Sequence, residues 1–311
     1  MFHYKKSPLD FLFDLLQIIT AIMQIQKGTI TMEKTKTFAL MTVLVLAFMW
    51  VGNAIGGTEG MKTAFYAALG TNFISYFFSD KMVLSQYKAT PVDASKNPML
   101  YDIVERLSQK AGLPMPKVYI IPERVPNAFA TGRNPKHAAV AATQGLLDLM
   151  TPQEIEGVLA HEMSHVRHYD ILIGTVAAVF AGAIAMLGNF ARGNANRQTS
   201  NGKRGLIAAI VMPIAATVIR MSISRSREYR ADEGAANLTG HPEWLMSALA
   251  KLEGYAKNQT ISRATSQTAH MFIVNPFSGS AALSRLFSTH PSTEQRLARL
   301  EAMQNGVVAE A

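Results

Sequence analysis

The chain has 311 residues, enough for one large domain or two modest ones with a sizeable core. Hydrophobic residues make up 49% and charged residues only 17%, against roughly 25% charged in an average soluble domain, so part of the surface faces something other than water. The net charge of +8 comes without a basic stripe interleaved with aromatics, which argues against a nucleic-acid partner. Zero cysteines exclude disulfides, thiolate metal sites and a cysteine nucleophile, so any metal ligands are His, Asp or Glu.

In chain order, residues 1–31 hold a semi-apolar stretch, 11–25, flanked and broken by Asp10 and Asp14. No small-residue cleavage site follows it, which argues against a signal peptide. Met32, followed by Glu-Lys-Thr-Lys and a strong apolar run, resembles a natural start. The extension is expected to be an interfacial helix or an over-extended start whose deletion spares activity. Residues 38–58 carry no formal charge and are long enough to cross a bilayer core of ~30 Å. Residues 63–79 are shorter and aromatic, and only Glu59 and Lys62 separate the two runs. Residues 32–80 therefore read as a transmembrane hairpin. Lys34, Lys36, Lys81 and Lys88 place the N-terminus and the central region in the cytoplasm.

Residues 81–170 read as a water-soluble part. Helical periodicity runs over 98–110, and Lys-Val-Tyr-Ile-Ile (117–121) reads as a strand. Residues 128–130 and 138–142 are further strands, separated by the turn-rich 132–135. A helix starts at Thr151: Thr151 is the N-cap, Pro152 the first residue, and Glu154 closes a capping box.

That helix leads into His161-Glu162-Met163-Ser164-His165. Residues four apart share a helix face, so both imidazoles reach one ion, and Glu162 stands beside them to take a proton from a water. Two neutral imidazoles plus an oxygen ligand suit zinc, which needs a third protein ligand and one open position. Glu228 and Asp232, in Ser226-Arg-Glu-Tyr-Arg-Ala-Asp232, share a helix face. One could bind the metal while the other orients a histidine. His168 competes for the third place but lies two turns from His161. Arg167 is expected to extend at a membrane surface beside Asp170.

A third uncharged run covers 171–191, and a fourth, 205–219, is short and carries Pro213. Residues 171–220 read as a second hairpin. The loop between its runs holds Arg192, Arg197, Lys203 and Arg204, so either the loop crosses despite its charge or the hairpin does not fully span. Residues 221–311 read as a cytoplasmic helical part ending in an amphipathic segment from about 291 to 303, capped by Thr289 or Ser292. His3, His137, His241 and His270 read as surface or loop histidines.

His-Glu-Met-Ser-His followed directly by an apolar segment, then Ser-Arg-Glu-Tyr-Arg-Ala-Asp after a second one, resembles the HtpX-type membrane metallopeptidases, relatives of the CAAX prenyl proteases. The resemblance covers most of residues 38–300. It implies a mainly α integral membrane protein with a zincin-like metallopeptidase core, a small β-sheet and four transmembrane helices. It implies one zinc ion per subunit on His161, His165 and Glu228, with Asp232 in support and Glu162 as the base. It further implies endoproteolysis of damaged or misassembled membrane proteins under stress, in a bacterial or archaeal inner membrane with the active site facing the cytoplasm. Asn127-Ala128-Phe129-Ala130-Thr131-Gly132 matches the family's segment upstream of the metal helix; it is either an edge strand whose Asn127–Ala130 would bind an extended substrate main chain to main chain, or an ordinary hairpin strand. His290 resembles a late histidine that would stabilise the oxyanion. The alternatives are a CAAX-type protease acting on prenylated peptides and a zincin-shaped membrane adaptor without catalysis. A transporter is a weaker third, since both motifs flank apolar runs instead of interrupting them.

Overall fold

A computed structural model describes residues 32–172, 174, 225–258 and 291–306. The extension 1–31, nearly all of 171–220, and His270 and His290 lie outside the described residues. The chain divides into two compact units, Met1–Phe73 and Ile74–Ala311.

Helix α1 (Met32–Gln86), whose residues to Phe73 belong to the first unit and whose last turns belong to the second, runs as two arms that fold back on each other at Gly56 and Gly57. Gly57 has φ 58° and ψ −147°, a conformation open essentially to glycine alone. Across the bend Gly52 and Gly60 lie backbone to backbone, and a Cβ on either would strike the other's carbonyl. Val45, Met49, Met61 and Ala68 form a buried cluster. Asn72 Nδ2 donates to the Met41 carbonyl across the arms at 3.3 Å. Trp50, Tyr66, Leu69 and Phe73 are exposed. The bend falls at the end of the charge-free run 38–58, beside the Glu59–Lys62 connection expected between the two runs. Among the described residues no helix is long and apolar enough to cross a membrane, so these helices do not by themselves supply the four spans expected from the sequence.

The second unit is built on a four-stranded sheet of order β1-β2-β4-β3. Strand β1 (Thr90–Val92) pairs antiparallel with β2 (Lys117–Ile121), and β2 pairs parallel with β4 (Ala138–Thr143). Strand β3 (Ala128–Gly132) pairs antiparallel with β4, Ala130 opposite Val140, and forms the sheet's edge. Small side chains dominate β4, and all six of its residues are buried. Phe129, Ile121 and Ala141 form a second cluster with Val83 and Leu84 from the end of α1.

Helix α2 (Pro98–Ala111) is capped by Asn97 and ends at left-handed Gly112. It buries Leu100, Ile103, Val104 and Leu107 at helical spacing against the sheet and the central helix. A short α3 (Gln144–Leu149) leads to that helix, α4 (Pro152–Arg167), whose capping box is formed by Thr151 and Glu154. Around α4 pack α2, α5 (Arg225–Thr239) and α6 (Pro242–Asn258), with α7 (Thr293–Gln304) laid on α5 and α6. Ile155, Val158, Leu159 and Met163 of α4 are fully buried, each contributing about 1.5–3 kcal/mol of apolar burial. Two glycines let the helices approach closely. A Cβ on Gly157 would meet the Trp244–Leu245 backbone, and one on Gly234 would meet Ser164. The second crossing draws the start of α5 across the histidine face of α4.

Candidate metal centre

His161 and His165, one turn apart on α4, face the same side, and their Nε2 atoms stand 3.2 Å apart. From the first turn of α5, Glu228 brings Oε2 to 3.7 Å from His161 Nε2 and Oε1 to 3.6 Å from His165 Nε2. A tetrahedral ion with bonds of about 2.0–2.1 Å separates its donors by about 3.3–3.4 Å, so this triangle has the size of three ligand positions with a fourth left open. Among the described residues these three are the group that could hold a metal ion. His168 is not part of it: it caps the end of α4, with Nδ1 3.3 Å from Ser164 Oγ.

The outer nitrogens face carboxylates. Asp232, one turn beyond Glu228 on α5, sets Oδ1 2.9 Å from His161 Nδ1. Asp170, just past α4, sets Oδ2 3.0 Å from His165 Nδ1. Each Nδ1 therefore has a carboxylate acceptor behind it, which leaves Nε2, directed into the triangle, as the atom that would supply a lone pair to an ion. Two lone pairs and a carboxylate at this range repel unless a cation lies among them, and two imidazoles with one carboxylate are a donor set that fits zinc. The pKa of His161 expresses the same attraction for positive charge. Burial disfavours its protonated form, yet the acceptors Asp232 and Glu228 outweigh burial and raise the pKa to about 9.

Arg296 of α7 grips Asp232 from behind. Its Nε donates to Oδ2 at 2.8 Å and its Nη2 to Oδ1 at 2.6 Å, with Nη2 also 3.4 Å from His161 Nδ1. Burial would raise the Asp232 carboxyl pKa, but the Arg296 guanidinium and His161 hold it below the usual range. Sequence reasoning did not single out Arg296. Its signal was spacing, since it precedes buried Leu300 by one turn on the same face. Asp170, expected beside Arg167, turns instead to His165 and lies 3.7 Å from Arg230 Nη2, while Arg167 is exposed.

Glu162 lies beside the triangle, and its Oε2 accepts a hydrogen bond from the Ala130 backbone N–H at 2.9 Å. Burial raises its pKa, opposed by the neighbouring His161 and His165. The Ala130 amide thus points away from β4 and toward the histidine helix. Asn127, Ala128 and Phe129 are buried, and the Phe129 ring lies 5.6 Å from that of Tyr87 in the core. Ala130, the next residue, is half-buried. His137 and His241 pair with Asn134 and Glu243, away from the triangle.

The family model for peptidase family M48 matches residues 94–304. A protease HtpX homologue of Campylobacter hominis is 62% identical over 283 residues, covering 89% of this chain and 100% of that protein. A protease HtpX homologue of a Sulfurovum species is 59% identical over 276 residues, covering 88% and 100%. A crystal structure of S. mikatae Ste24p is 16% identical with a TM-score of 0.49, covering 92% of this chain and 66% of that one.

Proposed function

The chain belongs to peptidase family M48 and is a metalloprotease, and on that premise we propose that it is a zinc-dependent endopeptidase working at a bilayer, with His161, His165 and Glu228 holding the ion. The observation that carries this reading is the convergence of His161 Nε2, His165 Nε2 and the Glu228 carboxylate beside Glu162.

Zinc, when bound, supplies Lewis-acid polarisation of the scissile carbonyl and acidifies a water toward neutral pH. The chain's own groups do the rest. Glu162 takes the proton of the attacking water and passes it to the leaving amine, and its raised pKa suits a group that must both accept and release a proton. The Ala130 amide, now bonded to Glu162, belongs to the edge strand, and the segment Asn127 to Ala130 would read an extended substrate main chain to main chain. His290 is assigned to the developing oxyanion on the resemblance alone.

The bilayer setting rests on the charge-free run 38–58 and on the exposed apolar side chains of α1, an arrangement that calls for lipid or protein cover. The proposed topology has four spans, from hairpins 32–80 and 171–220, with the catalytic part on the cytoplasmic side of a cell membrane. Its substrates are misfolded or damaged membrane proteins.

The test is metal analysis with proteolysis of an unfolded polypeptide by the full-length enzyme in detergent. We expect one zinc per chain and loss of cleavage with chelator. Glu162→Gln should retain zinc while turnover falls about 10²–10⁴-fold. Normal cleavage by Glu162→Gln, or indifference to chelator, would overturn the reading.

A further inference from the structure

Helix α4 ends in an unusual way. His168 caps it, and Tyr169 follows at φ 64°, in the left-handed region. Helices commonly close with one such residue, but glycine or asparagine usually fills it, because a Cβ there strains the backbone. Tyrosine bears that strain here. The turn swings the next residue, Asp170, back over the last turn of the helix instead of out toward solvent. Its carboxylate is buried, and its Oδ2 meets His165 Nδ1 at 3.0 Å. Its Oδ1 accepts no hydrogen bond among the described residues, and Arg230 Nη2 lies 3.7 Å from it. A buried carboxylate with so few partners is costly unless the one good partner makes use of it.

Resting on the metal-site reading above, we infer that Asp170 is a positioning residue for the centre. The left-handed turn at Tyr169 delivers its carboxylate to Nδ1 of His165, which fixes the ring's tautomer and plane and turns Nε2 toward His161 and Glu228. His161 is held in the same manner by Asp232, but from a different element and with Arg296 behind it. The two histidines are therefore supported independently. Helix α5 supports one and the end of α4 supports the other. Losing Asp170 should disturb His165 while leaving the Asp232–Arg296 pair intact.

The experiment uses the full chain in detergent, with Asp170→Ala, Asp170→Asn and, as reference, His165→Ala. Zinc affinity is read by chelator competition. Because zinc is spectroscopically silent, cobalt is substituted and its geometry-sensitive visible absorption recorded for each variant. Melting of the metal-free proteins is followed in parallel. Asp170→Ala should bind zinc about 10–100-fold more weakly than wild type and change the cobalt spectrum. Asp170→Asn preserves volume and decides the question if the alanine variant does not fold. It should melt like wild type without metal, yet bind zinc more weakly and alter the cobalt spectrum, since its amide can present an N–H to Nδ1 and impose the wrong tautomer. Wild-type affinity and an unchanged cobalt spectrum in Asp170→Asn would overturn the inference and leave the metal site standing. Should wild type bind no zinc, or His165→Ala bind it as tightly, the metal-site reading itself fails.

Discussion

Arg296→Met removes the charge behind Asp232 while roughly keeping the length of the side chain. Arg296 and Asp232 are 1% and 2% exposed, and the two hydrogen bonds between them, 2.8 and 2.6 Å, are nearly parallel in the manner of a bidentate pair. Removing one partner of such a pair leaves a buried carboxylate uncompensated and costs about 3–5 kcal/mol. The same change frees Asp232 to move, and because Asp232 accepts from His161 Nδ1, zinc affinity should fall about 10–100-fold, or about 1.4–2.8 kcal/mol. The assay is a double-mutant cycle with Asp232→Asn, measured by denaturant unfolding of metal-free protein and by chelator competition. Asp232→Asn removes the charge that Arg296 neutralises, so the double variant should lose less than the sum of the single losses. The coupling energy should lie at or above the top of the usual range of about 0.5–3 kcal/mol. Additive single losses, or zinc affinity untouched by Arg296→Met, would refute the view that α7 supports the metal centre through Asp232.

Gly60→Val should separate the α1 arms, because its Cβ meets the Gly52 carbonyl; a loss of about 1–3 kcal/mol in thermal unfolding is expected, and wild-type stability would contradict the packing. Gly234→Ala should push α5 off α4 and weaken zinc binding, and Ser164→Gly in the same chain should restore it, since the colliding atoms are Ser164 Oγ and Cβ. Failure of that second change to rescue would locate the effect elsewhere. Glu154→Ala removes a carboxylate that accepts from Thr151 N, Ser247 Oγ and Lys251 Nζ at 2.6–2.8 Å, at a cost of about 1–3 kcal/mol. Burial raises the Glu154 pKa, but these partners outweigh it and hold it below its ordinary 4.5. Its contribution is therefore complete above about pH 4.5 and disappears as the pH falls through the lower folded value. The stability difference between wild type and Glu154→Ala should shrink in acid, and a difference that stayed constant to about pH 2 would show that the carboxylate's charge is not what matters.

Local physics made much of this legible in the sequence. The capping box at Thr151 and Glu154, the strand 117–121 and the i, i+4 histidines each depend on neighbours within a turn, and each is found where the sequence places it. Glu228 was harder, since its place opposite the histidines depends on the Gly234–Ser164 crossing, which periodicity does not reveal. Asp170 and Arg296 were missed for different reasons. A tyrosine gives no sign of a left-handed turn, so nothing in the sequence says that the chain doubles back to bring Asp170 to His165. Arg296 lies in a polar amphipathic helix, where every arginine reads as solvated until α5 arrives to bury one of them. The charge-free run 38–58 shows the converse. Its composition is plain, but the bend at Gly56 and Gly57 comes from two residues that a hydropathy window averages away.

The charges around the site explain why so polar a cluster can sit inside a packed helical core. Glu162, Glu228, Asp232 and Asp170 are four buried carboxylates; Arg296 bonds Asp232, Arg230 lies 3.7 Å from Asp170, and Arg227 is buried one residue before Glu228. Burying so much charge is costly unless it is paired. Positive charge is drawn to the cluster, as the His161 pKa of about 9 expresses. A dication among His161, His165 and Glu228 would offset negative charge and also satisfy the facing Nε2 lone pairs. The carboxylates are also arranged by role. Asp170 and Asp232 stand behind the rings on Nδ1, Glu228 faces the ion's position, and Glu162 is tied to the edge strand where a substrate would lie. Each negative charge is thus placed either to hold a ligand or to act on what binds beside it.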